Sequence, residues 1–196
     1  MSSEGLWSRT RRAAIEEISE VAMSLFLEKG FDATTIDDIA AAAGISRRSF
    51  FRYFGTKEDI VLGNLAAEGL RARDILATRP DGEPIWASLL HVLMSLDAEP
   101  ADHDRLLKIS EMMYGTPSLR ARHVEKHLQW QADLLPEVRR RLPETGDGLD
   151  DLRATAILAT AIACLDSAGK VWTERRGEVP LHDLLAAAFT AVTSTS

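Results

Sequence analysis

The chain has 196 residues, 45% of them hydrophobic, and 23 Lys and Arg against 30 Asp and Glu leave a net charge of -7. That length supports one sizeable core, or a small domain joined to a larger one. The acidic balance excludes a protein that coats nucleic acid through bulk positive charge, so any nucleic-acid contact has to come from local placement of cations.

In chain order, the residues before Ser8 read as an arm. Arg9, Arg11 and Arg12 lie where the chain enters the first helix, and two readings stand for them: a contact to phosphate or minor groove, or a solvated first turn. From Arg9 to Lys29, Ile15, Ile18, Ala22, Leu25 and Phe26 form an apolar stripe with Glu16, Glu17, Glu20 and Glu28 largely off it, and the helix ends at Gly30.

The stretch Thr34 to Lys57 then predicts two short helices joined by a tight turn. Thr35 is an N-cap with Asp38 three residues on, Ile36, Ile39 and Ala40 share a face, and Gly44 supplies the turn. Ser46 caps the second helix, in which Phe50 and Phe54 share one side while Arg48 and Arg52 project from the other. This division suits a recognition helix: one side is anchored on the core, and the other offers guanidinium forks to guanine edges or phosphate oxygens. No acid between Ala40 and Thr56 neutralises Arg47, Arg48, Arg52 and Lys57. From residue 1 to 63, eight Lys and Arg face ten Asp and Glu, with the acids clustered on the first two helices and away from the second helix of the pair. Thr56 and Asp59 then read as a capping pair that opens a fourth helix carrying Ile60, Leu62, Leu65 and Leu70 to about Ala77.

With its glycine-aromatic step at Gly30 and Phe31, the Thr34-Thr35 pair, Gly44-Ile45-Ser46, the Phe51-to-Phe54 aromatic end and Lys57-Glu58, GFDATTIDDIAAAAGISRRSFFRYFGTKEDIV resembles the DNA-binding domain of the TetR family of bacterial transcriptional regulators. The resemblance covers about Ser8 to Gly63. It implies that Arg47, Arg48, Ser49 and Phe51 meet base edges, that Thr35, Tyr53 and Lys57 bind phosphates, and that Ser46 and Arg52 complete the DNA-facing set. Phe51 departs from the tyrosine common at its position, which removes a hydroxyl and leaves apolar contact. The Ser46 to Phe54 string further resembles the branch with acyl-CoA-like ligands, including regulators linked to mycofactocin.

After the turn cluster at residues 78 to 84, segments near 85–97, 102–114, 117–142, 150–176 and 180–194 read as helices, with no strand signal. Thr116 and Pro117 look like an N-cap and first helical residue, and Pro136 should kink or divide its helix. The expectation is an all-α protein of about nine helices: an N-terminal three-helix DNA-binding domain with a helix-turn-helix (1–63) and a larger helical ligand-binding and dimerisation domain (64–196). Trp86, Leu90, Leu93, Met94, Met113, Trp130, Thr160 and Trp172 are the candidate lining of an inner cavity, with His91 and Asp166 as further polar anchors; periodicity does not distinguish a hollow core from a filled one. Ala161, Leu165, Leu181, Leu185, Ala188, Phe189 and Val192, on two small-residue-rich helices, are the candidate dimer interface.

No catalytic set is legible. His123 and His127 share a helix face, but HVEKH lacks the glutamate placement of a zinc-protease helix and reads as a surface pair. Asp166 to Lys170 faintly resembles a phosphate loop, yet Cys164 stands where the earlier glycine is required, so the segment reads as helix. No cofactor or metal is expected. Cys164 reads as buried core, excludes an internal disulfide framework and suits a reducing compartment. With no apolar stretch behind the first basic residues and no charge-free run of the about 20 residues a bilayer needs, a cytoplasmic protein is expected. By resemblance, the chain is a homodimeric repressor of a palindromic operator, released by a small apolar or amphipathic effector. Two rivals stand: a DNA-binding regulator without an effector, and an all-helical enzyme using the same cavity.

Overall fold

The computed structural model describes residues 6–96 and 103–194, and those residues form ten α-helices without a strand. The apolar stripe of the first segment becomes α1 (Leu6–Lys29), which starts two residues earlier than the arm expected before Ser8; residues 1–5 and the Arg9 side chain lie outside the described set. Helices α2 (Ile36–Ala42) and α3 (Arg47–Tyr53) follow, joined through Gly44 at φ +64, a left-handed conformation that costs glycine nothing and a β-carbon something. Both caps form as read. The Thr35 hydroxyl accepts from the Asp38 amide at 3.1 Å while the Asp38 carboxylate accepts from the Thr35 amide at 2.9 Å, and Ser46 Oγ accepts from the Ser49 amide at 3.1 Å.

The expected fourth helix is two. Thr56 and Asp59 exchange the anticipated bonds, at 3.0 and 3.3 Å, but α4 (Glu58–Val61) stops at Leu62 and α5 (Gly63–Ala77) starts anew. Gly63 weakens helix propagation at this point, and the Lys126 ammonium donates at 3.0 Å to the Leu62 carbonyl left free by the break. This adds one helix to the nine expected.

The remaining helices are α6 (Ile85–Leu96), α7 (His103–Gly115), α8 (Pro117–Arg141), α9 (Asp150–Glu174) and α10 (Leu181–Thr193). Pro136 is carried inside α8 without dividing it. Helix α5 runs against α8, where Gly69 faces the Trp130 indole and Arg141 closes the end of α5. The Arg141 guanidinium, almost wholly buried, donates to the carbonyls of Leu76 and Arg79 at 2.7 Å and to that of Pro80 at 3.1 Å, with Glu137 balancing its charge at 2.9 Å. The Leu76 and Pro80 carbonyls also accept the backbone amides of Arg79 and Glu83, each at 3.1 Å, so the arginine fills out the acceptors of the turn that ends α5.

Two clusters of buried side chains result. One joins α1 to α4, with Ile18, Phe26, Phe31, Ile39, Phe50 and Phe54 among its members, and it also takes in Leu119 of α8. The other joins α5, α6, α8, α9 and α10 around Leu76, Leu89, Trp130, Leu158, Leu185 and Phe189. Cys164 is buried there as read, and burial pushes its thiol up. Helix α9 is long and apolar enough by composition to cross a membrane, but Ala154, Leu158, Ala161 and Ile162 are spent in this core.

Candidate nucleic-acid interface

Helix α3 is held from inside. Phe50 is fully buried and Phe54 nearly so, with ring centroids 5.5 Å apart, and the rings close on Ile18, Phe26 and Ile39. With that face committed to the core, Arg47, Arg48, Phe51 and Arg52 are left to solvent. Phe51 is 48% exposed, on the same outer side as the arginines.

The three guanidiniums of α3 differ in availability. Arg47 donates to both Asp37 carboxylate oxygens, at 3.0 and 2.9 Å, and lies 5.8 Å from the Phe51 centroid. Asp37 belongs to α2, ten residues upstream, so a count of acids between Ala40 and Thr56 missed it. The pair is exposed on both sides and is worth about 1 kcal/mol or less. Arg52 folds over the Tyr53 ring, 5.0 Å from its centroid, with Nη2 3.3 Å from the phenol oxygen. Arg48 is exposed and enters no ion pair among the described residues. Ser49 is half-buried, its amide bound to Ser46 Oγ.

Thr35 and Lys57 are engaged internally. The Thr35 hydroxyl donates to Asp38 at 2.6 Å, and that bond, with the one from the Thr35 amide, holds the Asp38 carboxyl below its usual range. Lys57 Nζ donates to the carbonyls of Phe31 at 2.8 Å and Thr34 at 3.2 Å and stands 4.3 Å from the Phe31 centroid. It pins the turn between α1 and α2 to the start of α4. An ammonium has three protons, so one remains for an outside acceptor.

Helix α8 ties this unit to the rest of the chain. Leu119 is buried in the α1-to-α4 cluster, Arg122 donates to Asp59 at 3.0 and 3.2 Å, and Lys126 holds the Leu62 carbonyl. Burial alone would raise the Asp59 carboxyl, but the Arg122 guanidinium and the Thr56 bonds bring it below its ordinary value. An open cleft of about 680 Å³ lies beside these contacts, lined by Glu16, Glu20, Asp59, Arg105 and Lys126.

Further from α3, two smaller cavities of about 240 and 250 Å³ adjoin at Met113, Tyr114, His123 and Asp166. The inner one is mostly apolar and is lined by Leu93, Leu96, Trp130 and Leu165, with Glu68 and His127 as polar members; Arg120 and Lys170 border the outer one. Of the residues proposed from sequence as a pocket, Leu93, Met113 and Trp130 line the inner cavity. Trp86, Leu90 and Met94 pack on the larger core, with Trp86 edge-on to Phe189 at 5.8 Å, and Trp172 is buried edge-on to His103 at 5.4 Å. Thr160 spends its hydroxyl on the Ala156 carbonyl at 2.8 Å, and His91 is exposed. Asp166 does reach the cavity.

His123 and His127 are not the surface pair that HVEKH suggested. His127 is 4% exposed, because this face of α8 packs on α9, and both imidazoles meet Asp166 there. The sequence places two histidines on one face but carries no sign that the facing helix brings a carboxylate. The segment 166–170 is helix, as read.

A sequence profile described as bacterial regulatory proteins, tetR family, matches residues 18–63, and one described as MftR C-terminal domain matches residues 83–196. The chain belongs to the TetR family of bacterial regulatory proteins. It is a transcriptional regulator with an N-terminal DNA-binding domain and a larger C-terminal helical domain of the MftR type. Among TetR relatives, a Mycobacterium tuberculosis protein named as a mycofactocin biosynthesis transcriptional regulator, MftR, is 28% identical over 193 residues, spanning 98% of this chain and 96% of its own. The fold is shared with FadR of Thermus thermophilus, a TetR repressor solved with lauroyl-CoA, at TM-score 0.60 and 23% identity over 93% of this chain and 95% of that one. FadR of Bacillus subtilis, solved with stearoyl-CoA, aligns at TM-score 0.59 and 19% identity over 92% and 98%.

Proposed function

We propose that this TetR regulator acts in the cytoplasm as a homodimeric repressor, binds a palindromic operator through α3, and releases it when a small amphipathic molecule enters the inner cavity. The observation that carries the reading is the division of α3: Phe50 and Phe54 are clamped in the core while Arg48 and Phe51 are exposed on the outer side. Arg48 is suited to a bidentate guanine contact and Phe51 to a thymine methyl. Arg47 and Ser49 complete base reading, with Arg47 first leaving Asp37, while Ser46, Arg52, Thr35, Tyr53 and the third proton of Lys57 serve the backbone.

The division at 1–63 and 64–196 is supported by the helix break at Leu62. A second copy is best accommodated by α9 and α10. Of the positions expected there, Ala161, Leu185 and Phe189 are consumed by this chain's own core, and Leu165, Leu181 and Ala188 are half-buried. The exposed apolar and small side chains Leu152, Ala156, Ala163 and Val192 are what a partner copy would cover. Two-fold symmetry then sets two copies of α3 in successive major grooves, about 34 to 36 Å apart.

Effector response is supported by Met113, which lines both cavities and also packs against the α1-to-α4 cluster. A ligand that displaces α7 or α8 acts on the DNA-binding unit through Leu119 and Arg122, and by linkage operator DNA weakens that ligand equally. The acyl-CoA esters bound by the two FadR proteins are the class to screen first. Selection of random DNA fragments by the purified protein tests the reading: a palindromic motif with half-sites about one turn apart is expected, and no enrichment by a folded dimer rejects it.

A further inference from the structure

Two histidines on α8 and an aspartate on α9 converge where the two helices pack, with His127 buried and His123 and Asp166 partly exposed. His123 and His127, four residues apart, share the helix face that packs on α9, and Asp166 reaches them from the opposite helix. The same carboxylate oxygen, Oδ1, lies 2.9 Å from His123 Nε2 and 3.1 Å from His127 Nδ1. Only the first contact has the direction of a hydrogen bond. His127 Nδ1 is fully buried and has no hydrogen-bond partner despite its distance, so it aims beside the oxygen and not at it. A buried ring nitrogen left in this way is costly, and an absent ion or water is the ordinary remedy.

We propose that His123 Nε2, His127 Nδ1 and Asp166 Oδ1 bind one divalent first-row transition metal ion of the Zn²⁺ class, with an open coordination position facing the cavities. Ligand atoms about 2.1 Å from a tetrahedral ion lie about 3.4 Å apart, so the two nitrogens, 2.9 and 3.1 Å from Oδ1, draw back by a few tenths of an ångström when the ion enters. All three atoms fall within 4.8 Å of one another, so small rotations about the side-chain torsions close the set. Coordination gives His127 Nδ1 the partner it lacks, whereas His123 Nδ1, buried and equally without a partner, points away from the ion. The donor set selects the ion: two imidazole nitrogens and one carboxylate oxygen suit Zn²⁺, Co²⁺ or Ni²⁺ and leave Mg²⁺ and Ca²⁺ short of oxygens.

The surroundings orient the ligands. The His127 ring stacks at a tilt on Trp130, 5.1 Å between centroids, Tyr114 is edge-on to His123 at 6.3 Å, and the Tyr114 hydroxyl donates to the Asp166 carbonyl at 3.3 Å. Both cavities are bounded by His123 and Asp166, so the position left open by three protein ligands is reachable by water or by an anionic group. Neutral imidazoles and one carboxylate leave a bound dication with one positive charge, and Arg120 and Lys170 at the outer cavity add to the pull on such a group while Glu68 at the inner one opposes it. The site does not depend on the DNA-binding reading, and its failure would leave that reading intact.

The test uses the full chain, stripped with a chelator, and titrates it with Zn²⁺ against a chromophoric chelator and with Co²⁺ by visible absorption. One ion per chain and a Co²⁺ d–d spectrum are expected. Zn²⁺ should shift the His123 and His127 imidazole nitrogens in long-range ¹H–¹⁵N spectra of the unaltered protein, while Mg²⁺ should leave them in place. Asp166→Asn, nearly isosteric, and His123→Ala should each weaken Zn²⁺ by at least the about tenfold that loss of an outer partner costs, whereas His182→Ala should not. No competition with the chelator, unshifted imidazoles, an equal response to Mg²⁺, or affinity unchanged in Asp166→Asn overturns the proposal. The spectra of the unaltered chain decide the matter even where a variant does not fold.

Discussion

Arg122 donates twice to one carboxylate oxygen of Asp59, through Nε at 3.2 Å and Nη2 at 3.0 Å, and so joins α8 to the four-residue helix that follows the helix-turn-helix. The contact spans 63 residues of sequence and crosses between the two buried clusters. Arg122→Ala should lower stability by about 1 kcal/mol, as expected for a half-exposed ion pair, and reduce the coupling between effector and operator. Thermal denaturation and operator affinity with and without effector check both. Because the folded-state carboxyl of Asp59 lies below its ordinary value, this contribution is complete above that value and is lost as pH falls through the folded one. The stability difference between the parent and Asp59→Asn should therefore shrink on acidification and be constant near neutrality.

Gly69→Ala should destabilise the fold. A β-carbon there would fall 2.4 Å from Trp130 Cδ1, inside the packing of α5 on α8. The gain in helix propensity, about 1 kcal/mol, is smaller than an overpacking cost of about 1 to 3 kcal/mol plus displacement of an indole that lines the inner cavity. A rise in melting temperature would show that α5 and α8 can part without cost.

Arg48→Ala should weaken specific operator binding by about 1 to 3 kcal/mol and relax sequence preference at one base pair per half-site. Arg47→Ala should cost less, because in the free protein Arg47 already holds Asp37 and binding DNA must first release it. Fluorescence anisotropy on matched and mismatched operators separates the two. Equal losses would mean that the Asp37 pair is not maintained before binding.

Lys57→Met should affect both folding and DNA. Its ammonium serves two carbonyls and a ring face, so its removal takes the charged donor from Thr34 and leaves Phe31 with the Thr34 amide alone, at a cost of about 1.5 to 3 kcal/mol. Operator affinity should fall with a shallower salt dependence, since one phosphate contact is lost. An unchanged denaturation midpoint would count against the anchoring role.

The helix-turn-helix was legible because its signals are local. A cap and its partner three residues on, a glycine at the turn, and phenylalanines four apart all act within one or two helical turns, and Thr35, Gly44, Ser46, Phe50 and Phe54 behave accordingly. The break at Leu62 was less legible, since Gly63 alone is tolerated in helices and its effect rests on Lys126, 64 residues away in the fold's other part. The same holds for Arg47, whose partner Asp37 lies on the preceding helix, ten residues upstream.

By itself, then, the sequence determined the helical class, the reading helix with its two unlike faces, and the family to which these residues belong, because period, capping and turn chemistry act over a few residues. Only the tertiary structure decided which of several apolar side chains line a cavity and which fill the core. It set Leu93, Met113 and Trp130 at the hollow and spent Trp86, Trp172 and Leu185 on packing. It also turned His123 and His127 inward onto Asp166. The reason is the same in each case: a helix face is fixed by its own periodicity, but what that face meets depends on how other helices cross it, and Asp166 is 43 residues from His123 in sequence.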